Sequence, residues 1–130
     1  MNRRVLLVAL CVAIASFGAQ AHGPKGTKPA GANGGEIADV EGGHLEFVVT
    51  PAELRIYVTD MRDVALASAG MTGRAIVQDG EKQAVLPLVA KAPNLLVAPL
   101  AAPLSKDAKV AVSATLAKEA KPVQARFVVK

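Results

Sequence analysis

The sequence has no tryptophan, one cysteine, two histidines, one tyrosine and three phenylalanines among 130 residues, and each shortage removes a class of function. Cys11 lies inside the apolar run Val5 to Phe17, preceded by Leu10 where a lipoprotein signal would place a small residue. Beyond residue 21 the chain has no cysteine, which excludes disulfides, thiolate metal sites and thiol catalysis there. A catalytic zinc site wants three protein ligands and a water, and a serine triad wants a histidine beside a positioned serine. His22 and His44 supply neither pattern. Gly34-Gly35 and Gly42-Gly43 lack the strand–loop–helix context of a phosphate-cradling motif. The protein is therefore expected not to be an enzyme. Phe47, Tyr57 and Phe127 are the only aromatics after residue 21, and no basic cluster is interleaved with them, which argues against a nucleic-acid partner.

What is present begins with an export signal. Met1-Asn2-Arg3-Arg4 is a short positive segment, Val5 to Phe17 is apolar and uncharged, and Gly18-Ala19-Gln20-Ala21 ends in a small-residue cleavage pattern. The apolar run has 13 residues, fewer than the roughly 20 that span a bilayer, and no basic stop-transfer flank follows. Residues 1–21 are read as a cleaved signal peptide, leaving no membrane anchor. A cysteine-free exported chain suits the periplasm, with secretion as the alternative. Removing 21 of 130 residues leaves 109, and the loss of Arg3 and Arg4 leaves 13 basic against 11 acidic side chains. That is one nearly neutral domain, long enough to bury roughly 65% of its unfolded surface.

Residues 22–34 are rich in Gly, Pro, Lys, Ala and Asn and are read as a flexible arm. From residue 35 to 130 the apolar period is two. Leu45, Phe47 and Val49 alternate with polar neighbours; so do Leu54, Ile56 and Val58, then Val110, Val112, Ala114 and Leu116, then Val123, Ala125, Phe127 and Val129. Weaker strands are expected at Glu36–Val40, Arg74–Gln78, Gln83–Leu88 and Leu95–Ala98, with a turn at Asp79-Gly80-Glu81. Asp63 to Met71 and Leu100 to Ala108 are the segments whose composition would allow a helical turn. Seven or eight short strands at this spacing predict an all-β fold, a small antiparallel β-sandwich of immunoglobulin-like architecture. With Pro51-Ala52 as a two-residue turn, Val49 faces Leu54, Phe47 faces Ile56 and Leu45 faces Val58 on the core side. His44 then faces Thr59, Glu46 faces Tyr57 and Val48 faces Arg55 on the other.

His44 and Glu46 are two apart on one strand, so both side chains leave the same face roughly 7 Å apart at Cα. An imidazole with a carboxylate suits Zn(II), Cu(II), Ni(II) or Co(II), although His and Glu are also ordinary on a solvated face and two ligands make a weak site. Cleavage after Ala21 would make His22 the amino terminus, offering its α-amino group and its ring to Cu(II) in particular. Met61 and Met71 carry soft thioethers but more commonly fill cores. Asp39 and Glu41, close to His44 in sequence, form an acidic rim together with Glu46, which could add oxygen ligands or merely solvate a turn.

The run Asn33-Gly34-Gly35, then Gly43-His44-Leu45-Glu46-Phe47, then Leu54 to Asp60 resembles a group of small exported bacterial β-domains. In that group a Gly-Gly precedes a Gly-His-x-Glu and a Tyr-Val-x-Asp strand end. These domains stand alone or resemble the β-domain of periplasmic adaptor proteins of heavy-metal efflux pumps. The resemblance covers residues 33–78, more weakly the rest. It implies a periplasmic β-domain tied to metal resistance, with His44 and Glu46 at the motif's polar positions. Members often carry His before the Gly-Gly, where this chain has Asn33. The expected function is that of a periplasmic, non-enzymatic accessory protein of such a system, holding Cu(II) or Zn(II) through His44, Glu46 and His22, with an efflux-pump adaptor as partner. The alternative is an interaction module without metal, offering an exposed strand face or edge to a partner protein. Length and an N-terminal His are also similar to small periplasmic copper carriers.

Overall fold

The period-two pattern is realised as eight antiparallel strands in the computed structural model, which describes residues 30–130. They are β1 (Glu36–Val40), β2 (Gly43–Val49), β3 (Glu53–Thr59), β4 (Thr72–Asp79), β5 (Lys82–Lys91), β6 (Leu95–Pro99), β7 (Lys109–Thr115) and β8 (Val123–Val128). The signal segment and the first part of the arm, with Cys11 and His22, lie outside the described residues. No helix forms among the described residues: 63–71 and 100–108 are turns and irregular chain, apart from one bridge between Thr59 and Ala65.

Hydrogen bonding links all eight strands into one sheet, in the order β1-β2-β3-β6-β5-β4-β7-β8. Instead of two separately bonded sheets, this one curls until its outer strands β1 and β8 lie against each other. β5 makes the curl possible by changing partners: Lys82 to Leu88 pair with β4, then Val89 to Lys91 pair with β6. The result is barrel-like and nearly closed.

The register of the first hairpin follows from its apolar residues. Leu45, Phe47 and Val49 stand opposite Val58, Ile56 and Leu54, and Leu45, Leu54, Ile56 and Val58 are almost wholly buried. The Thr50 and Glu53 backbones close the two-residue turn, with Thr50 N–H donating to the Glu53 carbonyl at 2.9 Å. Val110, Val112, Ala114 and Phe127 supply the core from the far half. Phe47 and Phe127 stack with ring centroids 4.7 Å apart and planes 12° apart. The side chain of buried Ser68 pins the β3–β4 connection by donating to the Lys91 carbonyl at 2.8 Å. These constraints fix the connection that follows Thr59, beside which the candidate site lies.

Candidate functional site

β2 sits between β1 and β3, so the outward residues of β2 have neighbours on both sides. Asp39 is the direct partner of His44 across the β1–β2 ladder, and Thr59 is its partner across the β2–β3 ladder. His44 Nδ1 is 2.8 Å from Asp39 Oδ1. An ionised carboxylate only accepts, so the ring donates from Nδ1 and, when neutral, leaves the Nε2 lone pair bare. The chain leaving Thr59 turns back over that nitrogen and sets Asp63 Oδ1 3.6 Å from His44 Nε2. This separation is longer than a hydrogen bond.

The turn that carries Asp63 is built rather than loose. Asp60 Oδ1 accepts the N–H groups of Arg62 at 2.8 Å and Val64 at 3.0 Å. Its own N–H donates to the Val64 carbonyl, and Asp63 N–H returns to the Asp60 carbonyl. Asp63 itself adopts a left-handed φ of 63°, a conformation that Asp tolerates better than most side chains. The imidazole is largely covered, its side chain 19% exposed, while the carboxylates of Asp39 and Asp63 reach into water at 77% and 80%. The arrangement is a histidine held between two carboxylates at the surface.

Gly43 permits this closeness. A Cβ there would collide with the Thr59 carbonyl oxygen and crowd Asp60, so any side chain must push β2 from the start of the Asp63 turn. Gly43→Ala is expected to cost about 1–3 kcal/mol through overpacking and to break the Asp39–His44–Asp63 line. Urea unfolding together with the His44 ring signals in NMR would check both effects.

Glu46 shares the strand face with His44 but has different partners. Its side chain turns under the chain that enters β1 and is buried. Oε2 accepts Asn33 N–H at 2.9 Å and Gly35 N–H at 2.8 Å, and Oε1 accepts the Asn33 side-chain amide at 3.0 Å. Gly34 completes the turn with a left-handed φ of 78°, which its lack of Cβ allows. The turn at residues 31–34, grouped with the arm by composition, is thus fastened to the domain. Both oxygens of Glu46 are occupied by N–H donors in this state, leaving His44 and Glu46 with separate partners.

Of the three ligands expected from the sequence, His44 has a free ring nitrogen, Glu46 is engaged by the 31–35 turn, and His22 lies outside the described residues. Asp63 is the neighbour that residue spacing did not indicate. Met71 is buried in the core, whereas Met61 is exposed on the Asp63 turn. Glu41 lies exposed at the β1–β2 turn. Outside β2, Glu53 receives Arg55 Nε at 2.6 Å, and that hydrogen bond raises the Arg55 pKa further above its already high ordinary value. Among the described residues, no three His, Cys, Asp or Glu side chains converge as a ready metal cage, and no helix is long and apolar enough to cross a membrane. Compared with protein-family models, with curated proteins and with solved structures, the chain matches none.

Proposed function

We propose that this protein is an exported, non-enzymatic metal-binding accessory protein that works in the periplasm beside a heavy-metal efflux system. The domain's share of the site is His44 Nε2 and the Asp63 carboxylate. The observation that carries this reading is the Asp39–His44–Asp63 line. Two ligand atoms each about 2.0–2.2 Å from one Zn(II) at a tetrahedral angle stand roughly 3.4 Å apart. His44 Nε2 and Asp63 Oδ1 are 3.6 Å apart. Asp39 on Nδ1 is the outer carboxylate that metal-bound histidines commonly carry, fixing the tautomer and raising the basicity of the ligating nitrogen.

The donor set is one nitrogen and one oxygen, which suits Zn(II) or Cu(II) better than a soft monovalent ion. Two ligands from the domain give weak, exchangeable binding, the property wanted in a protein that passes a metal on and does not store it. Further ligands would come from water, from His22 on the arm or from the efflux-pump adaptor. In place of Glu46 as a direct ligand, we assign Asp63. For the architecture, the finer reading we favour is a sandwich-like flattening of the sheet, with β1, β2, β3 and β6 facing β4, β7 and β8. The change of partners in β5 supports it.

The test is calorimetric titration of the exported protein with Zn(II) and Cu(II). His44→Ala is expected to abolish binding. Asp63→Asn removes one ligand charge, and Asp39→Asn should weaken affinity about 10–100-fold by disturbing the tautomer. Binding should also weaken as pH falls, because a proton competes with the metal for the ring. Equal affinity in all four proteins, or no binding tighter than about 1 mM in any of them, would overturn the metal reading and leave the alternative of an interaction module.

A further inference from the structure

The half of the sheet away from His44 presents a different surface. On β4, β5, β7 and β8 the inward positions form the core and the alternate positions face water. Those outward positions carry Arg74, Lys91, Lys109 and Arg126 and no carboxylate. They also carry Val85, Val89 and Val128, which are 59%, 62% and 45% exposed. Pairing turns this composition into a pattern. Val85 stands opposite Ile76, Ile76 opposite Ala111, and Ala111 opposite Arg126. An apolar row therefore crosses three strands and ends on a guanidinium.

The surface is furrowed along β7. Its outward residues Ala111 and Ser113 are short, while β4 and β8 raise Arg74, Ile76 and Arg126 on either side. Two hollows of about 410 Å³ and 190 Å³ lie along this furrow and share Ile76, Ala111 and Arg126. A trough with an apolar floor and cations on its walls fits an elongated ligand with alternating apolar and acidic groups. Exposed apolar surface bounded by charge of one sign is the form that interaction sites take, and complementary charge selects the partner.

We propose that this trough docks an extended acidic segment of a partner protein, with carboxylates on Arg74, Lys109 and Arg126 and apolar side chains over Ile76 and Ala111. Charge complementarity names the acidic character. The concave shape names a chain, since a flat anionic bilayer would touch the walls and leave the furrow empty. The site lies on strands that do not contribute His44 or Asp63, so it is independent of metal binding.

The probe is a dye-labelled synthetic peptide of about eight residues, the span of a strand, alternating Glu and Val. A Lys-Val peptide and phosphatidylglycerol vesicles serve as comparisons. Fluorescence anisotropy at low salt is expected to show binding of the Glu-Val peptide tighter than about 1 mM and none of the Lys-Val peptide. The double variant Arg74→Glu, Arg126→Glu should weaken binding at least about tenfold. Ala111→Lys, which fills the furrow while adding positive charge, should do the same, and His44→Ala should change nothing. Circular dichroism of each variant confirms that it is folded; these side chains lie on the outer face, and either variant alone suffices. Unchanged affinity in a folded variant overturns the proposal. So does vesicle binding that survives Ala111→Lys without any peptide binding, which would mark a membrane-facing patch.

Discussion

Replacing Phe127 with alanine is expected to destabilise the domain by about 3–5 kcal/mol, the range for emptying an aromatic site in a core. Phe127 is 2% exposed and stacks on Phe47 with ring centroids 4.7 Å apart. The two rings come from β2 and β8, near opposite edges of the sheet, where β1 and β8 meet without a hydrogen-bonded ladder. Side-chain packing, more than backbone pairing, closes the barrel-like fold at this seam. Domains of this size are stable by about 5–15 kcal/mol in total, so Phe127→Ala removes a large share, and Tm should drop by about 4–8 °C per kcal/mol. Phe47→Ala should cost a similar amount, and the double variant less than the sum, with a coupling of about 0.5–1.5 kcal/mol for the aromatic pair. Phe127→Leu keeps most of the volume and should cost less than half as much. Denaturant unfolding of the four variants measures all of this. A cost below about 1.5 kcal/mol for Phe127→Ala, with no coupling, would show that the seam is held elsewhere.

The strands of this fold were legible because each carries a buried face that alternates with an outward one. Val49-Thr50-Pro51-Ala52-Glu53-Leu54 set the first register outright: a slip of one residue would turn Leu45, Phe47 and Ile56 to water. The sheet order was not legible. β3 pairs with β6 across the inserted β4–β5 hairpin, and local periodicity carries no information about which distant edges meet. The partner change in β5, which lets one sheet curl into a barrel-like form, is hidden for the same reason.

The site divides in the same way. His44 stood out by type and position. Asp63 did not, because it lies 19 residues further on and depends on a turn shaped by Asp60 hydrogen bonds and a left-handed φ. A signal was nonetheless present. The hairpin register already placed Thr59 beside His44, so the residues directly after Thr59 had to pass over the ring. Asp60 and Asp63, acidic and at a strand end, were the candidates to follow. For Glu46 the pattern gave the correct face but not the hydrogen bonds its carboxylate accepts, since the groups that engage it are largely backbone N–H donors, which a reading of side-chain types does not see.

That distinction gives the last expected result. Glu46→Ala should destabilise the domain by about 2–4 kcal/mol, because it strips acceptors from two backbone N–H groups and one side-chain amide, and donors left without partners cost about 1–3 kcal/mol each when water cannot reach them. The loss is moderated by the partial exposure of the 31–35 turn. Glu46→Gln should cost about 1 kcal/mol: one amide oxygen can still serve Asn33 and Gly35, the Asn33 side chain can rotate to offer its oxygen, and only the strengthening by charge is lost. Asn33→Ala removes a single bond and should also cost about 1 kcal/mol. In each case amide exchange at Gly35 and along β1 should accelerate before the rest of the sheet is affected, since the turn feeds directly into that edge strand. Metal titration of the same variants then separates two roles that the motif alone leaves combined. If Glu46 is a fastener, Glu46→Gln keeps the Zn(II) affinity of the parent while its β1 amides exchange faster. If it is a ligand, the affinity falls, and the carboxylate must leave Asn33 and Gly35 to reach the ion. The hydrogen bonds around Glu46 favour the first outcome, with the conspicuous glutamate of the motif fastening the entering chain beside the histidine and Asp63 supplying the oxygen.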